Sequence, residues 1–129
     1  MNQKVLVVED DQVMASLLTE KLAKIGMEVS FAVNGEACFK EIEKNVPDII
    51  LLDLILPGTS GFDILKKIKS DDRTKTTPVI ILSNLGSRDE IQKGIEMGAD
   101  AYLIKANVLI DEIIAKIQEV LQKKSPQKG

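Results

Sequence analysis

Asp48-Ile49-Ile50-Leu51-Leu52-Asp53 sets four consecutive large aliphatic residues between two carboxylates. The block is too short for a buried helix. It also lacks the apolar–polar alternation of a strand with one wet face, so Asp48–Leu52 reads as a parallel strand covered on both sides. Comparable apolar blocks lie at Lys4–Val8 and residues 78–82, and two less uniform ones at Glu28–Ala32 and Ala101–Ile104. Between them run stripes of helical period. Met14, Leu17, Leu18, Leu22 and Ile25 form the first, with Gly26 as its stop. Ala37, Cys38, Phe39 and Ile42 follow an Asn34 cap. Phe62, Leu65 and Ile68 follow Gly61. Ser87-Arg88-Asp89-Glu90 fits a capping box and opens a helix with Ile91, Ile95 and Gly98 on one side. Ile110, Ile113, Ile114, Ile117, Val120 and Leu121 make the last stripe. The pattern is strand–helix repeated five times. Right-handed crossovers then give an open, doubly wound parallel α/β sheet, because a barrel would need about eight such units. In such sheets ligands bind beyond the carboxyl ends of the strands, so chemistry is to be sought there.

Composition narrows the possibilities. The chain of 129 residues suits one domain, expected over residues 1–122, with a polar tail or linker stub at 123–129. A net charge of −3 argues against binding of nucleic acid by this domain. The sequence contains no histidine, which excludes Ser-His-Asp and Cys-His catalysis and histidine zinc sites. The single cysteine, Cys38, cannot form an internal disulfide, and a reducing, cytoplasmic setting is expected. No apolar run approaches the roughly 18 residues that span a bilayer, and no signal peptide is expected ahead of the first strand.

The strand ends are not bland. The first block runs into Glu9-Asp10-Asp11, the third into Asp53, the fourth into Ser83 and the fifth into Lys105. Only the second ends without a polar group at once. A strand order of 2-1-3-4-5 puts that silent strand outermost and the other four side by side. Each residue alone has an ordinary explanation. Asp10 or Asp11 can cap a helix, Asp53 can open a turn completed by Pro57, Gly58 and Gly61, Ser83 can satisfy loop backbone, and Lys105 can be a solvated lysine. Convergence at one edge is what makes them a site. Carboxylates about 4 Å apart repel by about 1 kcal/mol in water and about 4 kcal/mol at an effective dielectric of 20. A hard divalent cation relieves that, and an all-oxygen set with room for water and phosphate suits Mg²⁺. Asp53 is then a candidate nucleophile for an acyl phosphate, with Lys105 and Ser83 positioned for its phosphoryl oxygens.

These residues carry a resemblance. Val7-Val8-Glu9-Asp10-Asp11, Asp53-x-x-x-Pro57-x-x-x-Gly61, Ser83 and Tyr102-x-x-Lys105 resemble, in order and spacing, the receiver domains of bacterial two-component response regulators. The likeness runs from Lys4 to about Gln122. It implies a flavodoxin-like fold and a phosphorylation-driven signalling switch. It is not an enzyme in the usual sense, catalysing only its own phosphorylation and slow autodephosphorylation. By resemblance Asp53 is the phosphoacceptor. Glu9 and Asp10 hold Mg²⁺ together with Asp53 and the backbone carbonyl of Ile55. Lys105 pairs with the phosphoryl group, and Ser83 and Tyr102 are the switch pair. The implied partners are a histidine kinase or histidine phosphotransfer protein and a downstream protein, with the chain a monomer or a weak phosphorylation-dependent dimer.

The chain departs from the family pattern in four places. Ala106 stands where proline usually follows the lysine. A cis bond to a non-proline costs about 2.5–4 kcal/mol, which favours trans at Lys105–Ala106 without deciding it. The stretch from Lys105 to Asp111 is about one residue longer than usual. Asn84 replaces a small residue and is expected to narrow access to the phosphoryl group. Ile55 and Leu85 are apolar where polar side chains often tune hydrolysis, so a long-lived phosphorylated state is expected. Rival readings are a receiver-like module that works without phosphorylation and, less favoured, an aspartate-nucleophile phosphatase. The latter wants a second acid at the position of Ile55. A flavodoxin-type cofactor binder is disfavoured because Glu9-Asp10-Asp11 would repel its phosphate.

Overall fold

A computed structural model describes residues 3–124. The elements alternate as β1 (Lys4–Val8), α1 (Gln12–Lys24), β2 (Glu28–Ala32), α2 (Gly35–Lys44), β3 (Ile49–Leu52), α3 (Gly61–Ser70), β4 (Val79–Ser83), α4 (Arg88–Glu96), β5 (Ala101–Ile104) and α5 (Ile110–Lys124). A 3-10 turn, Lys105–Asn107, separates β5 from α5. The strands form one parallel sheet in the order β2-β1-β3-β4-β5, as the strand-end argument requires. The expected tail from Ser125 onward lies outside the described residues.

Successive side chains on a strand point to opposite faces, so a strand covered on both sides must be apolar at every position. On one face Leu6, Val8, Ile50, Leu52 and Ile81 pack with Cys38 and Ile42 of α2 and Ile64, Leu65 and Ile68 of α3. On the other, Val5, Val7, Ile49, Leu51, Ile80 and Leu82 pack with Leu18 and Leu22 of α1 and Ile113 and Ile117 of α5. The caps follow the sequence reading in part. Asn34 accepts from the Ala37 N–H, and Ser87 and Glu90 close a reciprocal capping box. The cap of α3 is Ser60, with Gly61 already inside the helix.

Three expectations about stripes need correction. Leu17, Ile25 and Ile95 are 44%, 46% and 45% exposed. Leu17 and Ile25 lie beside the narrow seam that α1 buries, which is Ala15, Leu18 and Leu22. In α4 the buried residue is Gly94. A Cβ there would lie 2.6 Å from Ile81 Cδ1 and 3.1 Å from the Tyr102 ring. The helix therefore approaches the sheet through its side-chain-free position, and Ile95, one residue on, faces outward. Two strand starts also shift by one residue. Asp48 precedes β3 and accepts from the Lys4 N–H at 2.7 Å, and Pro78, without an N–H, precedes β4.

Register decides what meets at the carboxyl edge. Val8 lies between Ala32 and Leu52, Leu52 pairs with Ile81, and Ser83 pairs with Ile104. The ladder continues one step further, because the Asp53 N–H donates to the Val8 carbonyl at 3.0 Å and the Glu9 N–H to that of Ala32 at 2.9 Å. Gly61 then folds tightly over this edge. A Cβ on it would sit 2.4 Å from Leu54 Cα and 2.5 Å from the Asp53 carbonyl oxygen.

Gly61→Ala forces backbone apart rather than a flexible side chain, and it should lower stability by about 3 kcal/mol, read as a lower urea midpoint. Cys38 is fully buried, and burial pushes its thiol up to about 12, so the reactive thiolate is scarce at neutral and mildly basic pH. Iodoacetamide at pH ~8 should alkylate Cys38 orders of magnitude more slowly in the native protein than in denaturing urea. Rapid native labelling would contradict the packing described.

Candidate functional site

The carboxyl ends of β1, β3, β4 and β5 bring Glu9, Asp10, Asp53, Ser83 and Lys105 to the same edge of the sheet. The acidic run after β1 divides its labour. Asp11 is the helix cap, its Oδ1 accepting from the Val13 and Met14 N–H groups at 3.1 Å. Asp10 is left exposed, and Glu9 is buried beneath it at 2% exposure. The Asp11 N–H donates to Glu9 Oε2 at 2.9 Å, so the cap residue also orients its neighbour. Asp53 is likewise buried, and its Oδ1 accepts from the Ile55 N–H at 3.1 Å. Ligand oxygens of Glu9, Asp10 and Asp53 come within 4.8 Å of one another. The Ile55 side chain is 53% exposed at this rim.

The repulsion expected of such a cluster is offset from within. Lys105 Nζ lies 2.8 Å from Asp53 Oδ2 and 3.0 Å from Glu9 Oε1. Burial works against the lysine charge, but hydrogen bonds and charges from Asp53 and Glu9 outweigh it, and the ammonium titrates above its ordinary value. Glu9 is raised above the usual carboxylate range, chiefly by burial and further by the Asp53 charge. The Asp11 N–H and Lys105 oppose that rise.

Ser83 is fully buried, and its Oγ accepts from the Leu85 N–H at 3.3 Å, which leaves its own proton available to donate. Tyr102 is half-buried, and its hydroxyl donates to the Leu85 carbonyl. Burial, then the charges of Glu90 and Asp53, pushes the phenol above its ordinary value. Leu85 is thus gripped at its N–H by Ser83 and at its carbonyl by Tyr102. Beyond β5, the Lys105–Ala106 bond is trans, since no cis peptide occurs among the described residues. The Ala106 N–H donates to Asn84 Oδ1 at 2.8 Å. Sequence reasoning treated Asn84 as a steric feature and missed this bond. The available signal was that Asn84 and Ala106 each directly follow a site residue and both depart from the usual pattern.

The model of the response regulator receiver domain family matches residues 5–118. The phosphate regulon transcriptional regulatory protein PhoB of Rhizobium meliloti is 30% identical over 124 residues, which cover 96% of this chain and 54% of PhoB. The chain therefore spans about half the length of that relative. Among solved structures, the receiver domain of the Francisella response regulator 1452 is 32% identical with a TM-score of 0.87, covering 96% of this chain and all of that one. The Mn(2+)-bound form of response regulator Rcp1 is 27% identical with a TM-score of 0.78, covering 92% of this chain and 91% of the other. With a family match over most of its length and an acidic edge of this geometry, the chain belongs to the response regulator receiver domains of two-component signalling.

Proposed function

We propose that this receiver domain takes a phosphoryl group from the phosphohistidine of a partner histidine kinase or histidine phosphotransfer protein onto Asp53, and that the modification changes which proteins it binds. The observation that carries this reading is the Lys105 ammonium 2.8 Å from Asp53, beside two further carboxylates. In the transfer, a carboxylate oxygen of Asp53 attacks phosphorus and the P–N bond to the donor imidazole breaks. The electron pair stays on that nitrogen, and an acyl phosphate forms. Lys105 is placed to follow the charge from carboxylate to phosphoryl oxygen. The Ser83 proton is free to be donated to another.

The donor set fits Mg²⁺, being carboxylate oxygens close enough to share one ion. Glu9, Asp10 and Asp53 would hold it, with the Ile55 carbonyl as a further ligand. When bound, it neutralises charge on the group being transferred. The related Rcp1 solved with Mn(2+) is in keeping with this, since the same hard oxygen ligands suit both ions.

Leu85 supplies the relay. A Ser83 drawn toward a phosphoryl oxygen releases the Leu85 N–H, while Tyr102 holds the carbonyl of the same residue. A shift of this loop reaches Tyr102 directly, biasing a pre-existing equilibrium rather than building a new fold. The readout face is the surface of α4, β5 and α5, where Arg88, Glu96, Tyr102 and Lys116 are candidate contacts. Lys93, also a candidate, leans over the Phe62 ring at 4.3 Å. The output partner is a protein, and the setting is the cytoplasm. Among the described residues no helix is long and apolar enough to cross a membrane.

Incubation with acetyl phosphate and Mg²⁺ should add one phosphate, about 80 Da, to the intact mass. Asp53→Ala should add none, and chelation of the metal should slow the gain at least about tenfold. A wild-type mass that never changes would leave only a module that binds without phosphorylation. The lifetime is a separate outcome. Ile55 and Leu85 offer no side-chain group to hold attacking water, so after removal of acetyl phosphate the added mass should persist for many minutes. Decay within seconds would contradict that part of the reading.

A further inference from the structure

We propose that Asn84 is a positioning residue for Lys105, and that Asn84 and Ala106 form a single device joining the end of β4 to the end of β5. The inference rests on the reading of Lys105 as the group that meets the transferred phosphoryl. Lysine has a long, flexible stem, so the place of its ammonium depends on how firmly its backbone is held. That backbone opens the 3-10 turn Lys105–Asn107, which has no side-chain cap from the residue preceding it. The first N–H groups of a helical turn have no partner within the turn. Asn84 supplies one from the neighbouring strand end, its Oδ1 accepting from the Ala106 N–H at 2.8 Å.

The two strand ends are also matched in other ways. Ser83 pairs with Ile104, which sets Asn84 one step past the sheet, level with the start of the turn. Gly86 lies so close over β5 that a Cβ on it would sit 2.9 Å from Ile104 Cδ1. The Asn84 bond is therefore the polar member of a contact that begins at the switch hydroxyl and ends at the lysine. It also requires a residue with an N–H after Lys105, and proline has none. The two departures from the family pattern are thus one arrangement, in which an amide acceptor after the serine serves an amide donor after the lysine. A movement of Ser83 toward a phosphoryl group carries Asn84 with it, and through Ala106 the backbone of Lys105.

The test compares the wild type with Asn84→Ala, which removes the acceptor, and Asn84→Asp, which keeps one of the same length. NMR would follow amide exchange at Ala106 and the ε-methylene signals of Lys105, and intact mass the rate of phosphorylation by acetyl phosphate in Mg²⁺. A lost exposed hydrogen bond should speed Ala106 exchange about two- to fivefold in Asn84→Ala. The Lys105 signals should move toward those of a solvated lysine, and phosphorylation should slow by a similar factor. Asn84→Asp should restore the Ala106 exchange rate and the Lys105 signals. Unchanged Lys105 signals in Asn84→Ala, or an Asn84→Asp protein whose Ala106 amide exchanges as fast as that of Asn84→Ala, would overturn the proposal. Failure of the functional reading looks different. The wild type would gain no mass, while the Ala106 and Lys105 signals would still report on Asn84.

Discussion

An ammonium shared between two buried carboxylates governs the carboxyl edge of this sheet. Glu9 and Asp53 are almost wholly out of water, and like charges so placed are tolerable only with a counter-charge in contact. Lys105 provides it, at hydrogen-bond distance to both. That requirement reaches far into the fold. The lysine directly follows the last strand and the acids directly follow the first and third, so the triad closes only when β1, β3, β4 and β5 lie adjacent and in register. The continuous apolar blocks that form those strands place the charges, and the charges give that placement its chemical meaning.

Backbone carries much of the remaining organisation. Asp53 is fixed by its own N–H to Val8 and by the Ile55 N–H to its carboxylate, and Glu9 by N–H groups given and received on either side. Gly61 presses on the chain just after Asp53 so closely that no side chain fits. Asp53 is therefore held by main chain from two directions, with the Lys105 ammonium as its side-chain contact.

Much of this was legible in the sequence. Three uniformly apolar blocks announced parallel strands covered on both faces, and the polar residues that follow four of the five blocks marked the edge where chemistry gathers. The less legible features have physical reasons. Helical periodicity shows which residues share a side but not how wide the buried seam is, so Leu17 and Ile25 were placed inside when only Ala15, Leu18 and Leu22 are covered. Hydrophobicity cannot reveal a contact made through a missing side chain, so the stripe Ile91, Ile95 and Gly98 carries no sign of the Gly94 contact in α4. The choice between Asp10 and Asp11 as helix cap depends on one backbone turn, and composition carries no trace of it. The Asn84–Ala106 bond joins residues 22 apart in sequence, and each alone reads as an isolated oddity.

The glycine contact of α4 has a thermodynamic corollary. The third helix is anchored by Ile64, Leu65 and Ile68, all fully buried. A buried aliphatic side chain of that size contributes about 1.5–3 kcal/mol. The fourth helix has Gly94 as its buried residue, so it is moored by shape rather than by greasy weight. Moving it withdraws few apolar side chains of its own from the core, and segments with few buried apolar contacts lie at the low end of local opening free energies. The molecule thus pairs firmly packed strand ends with a helix that buries few side chains of its own, and the helix is the easier of the two to displace.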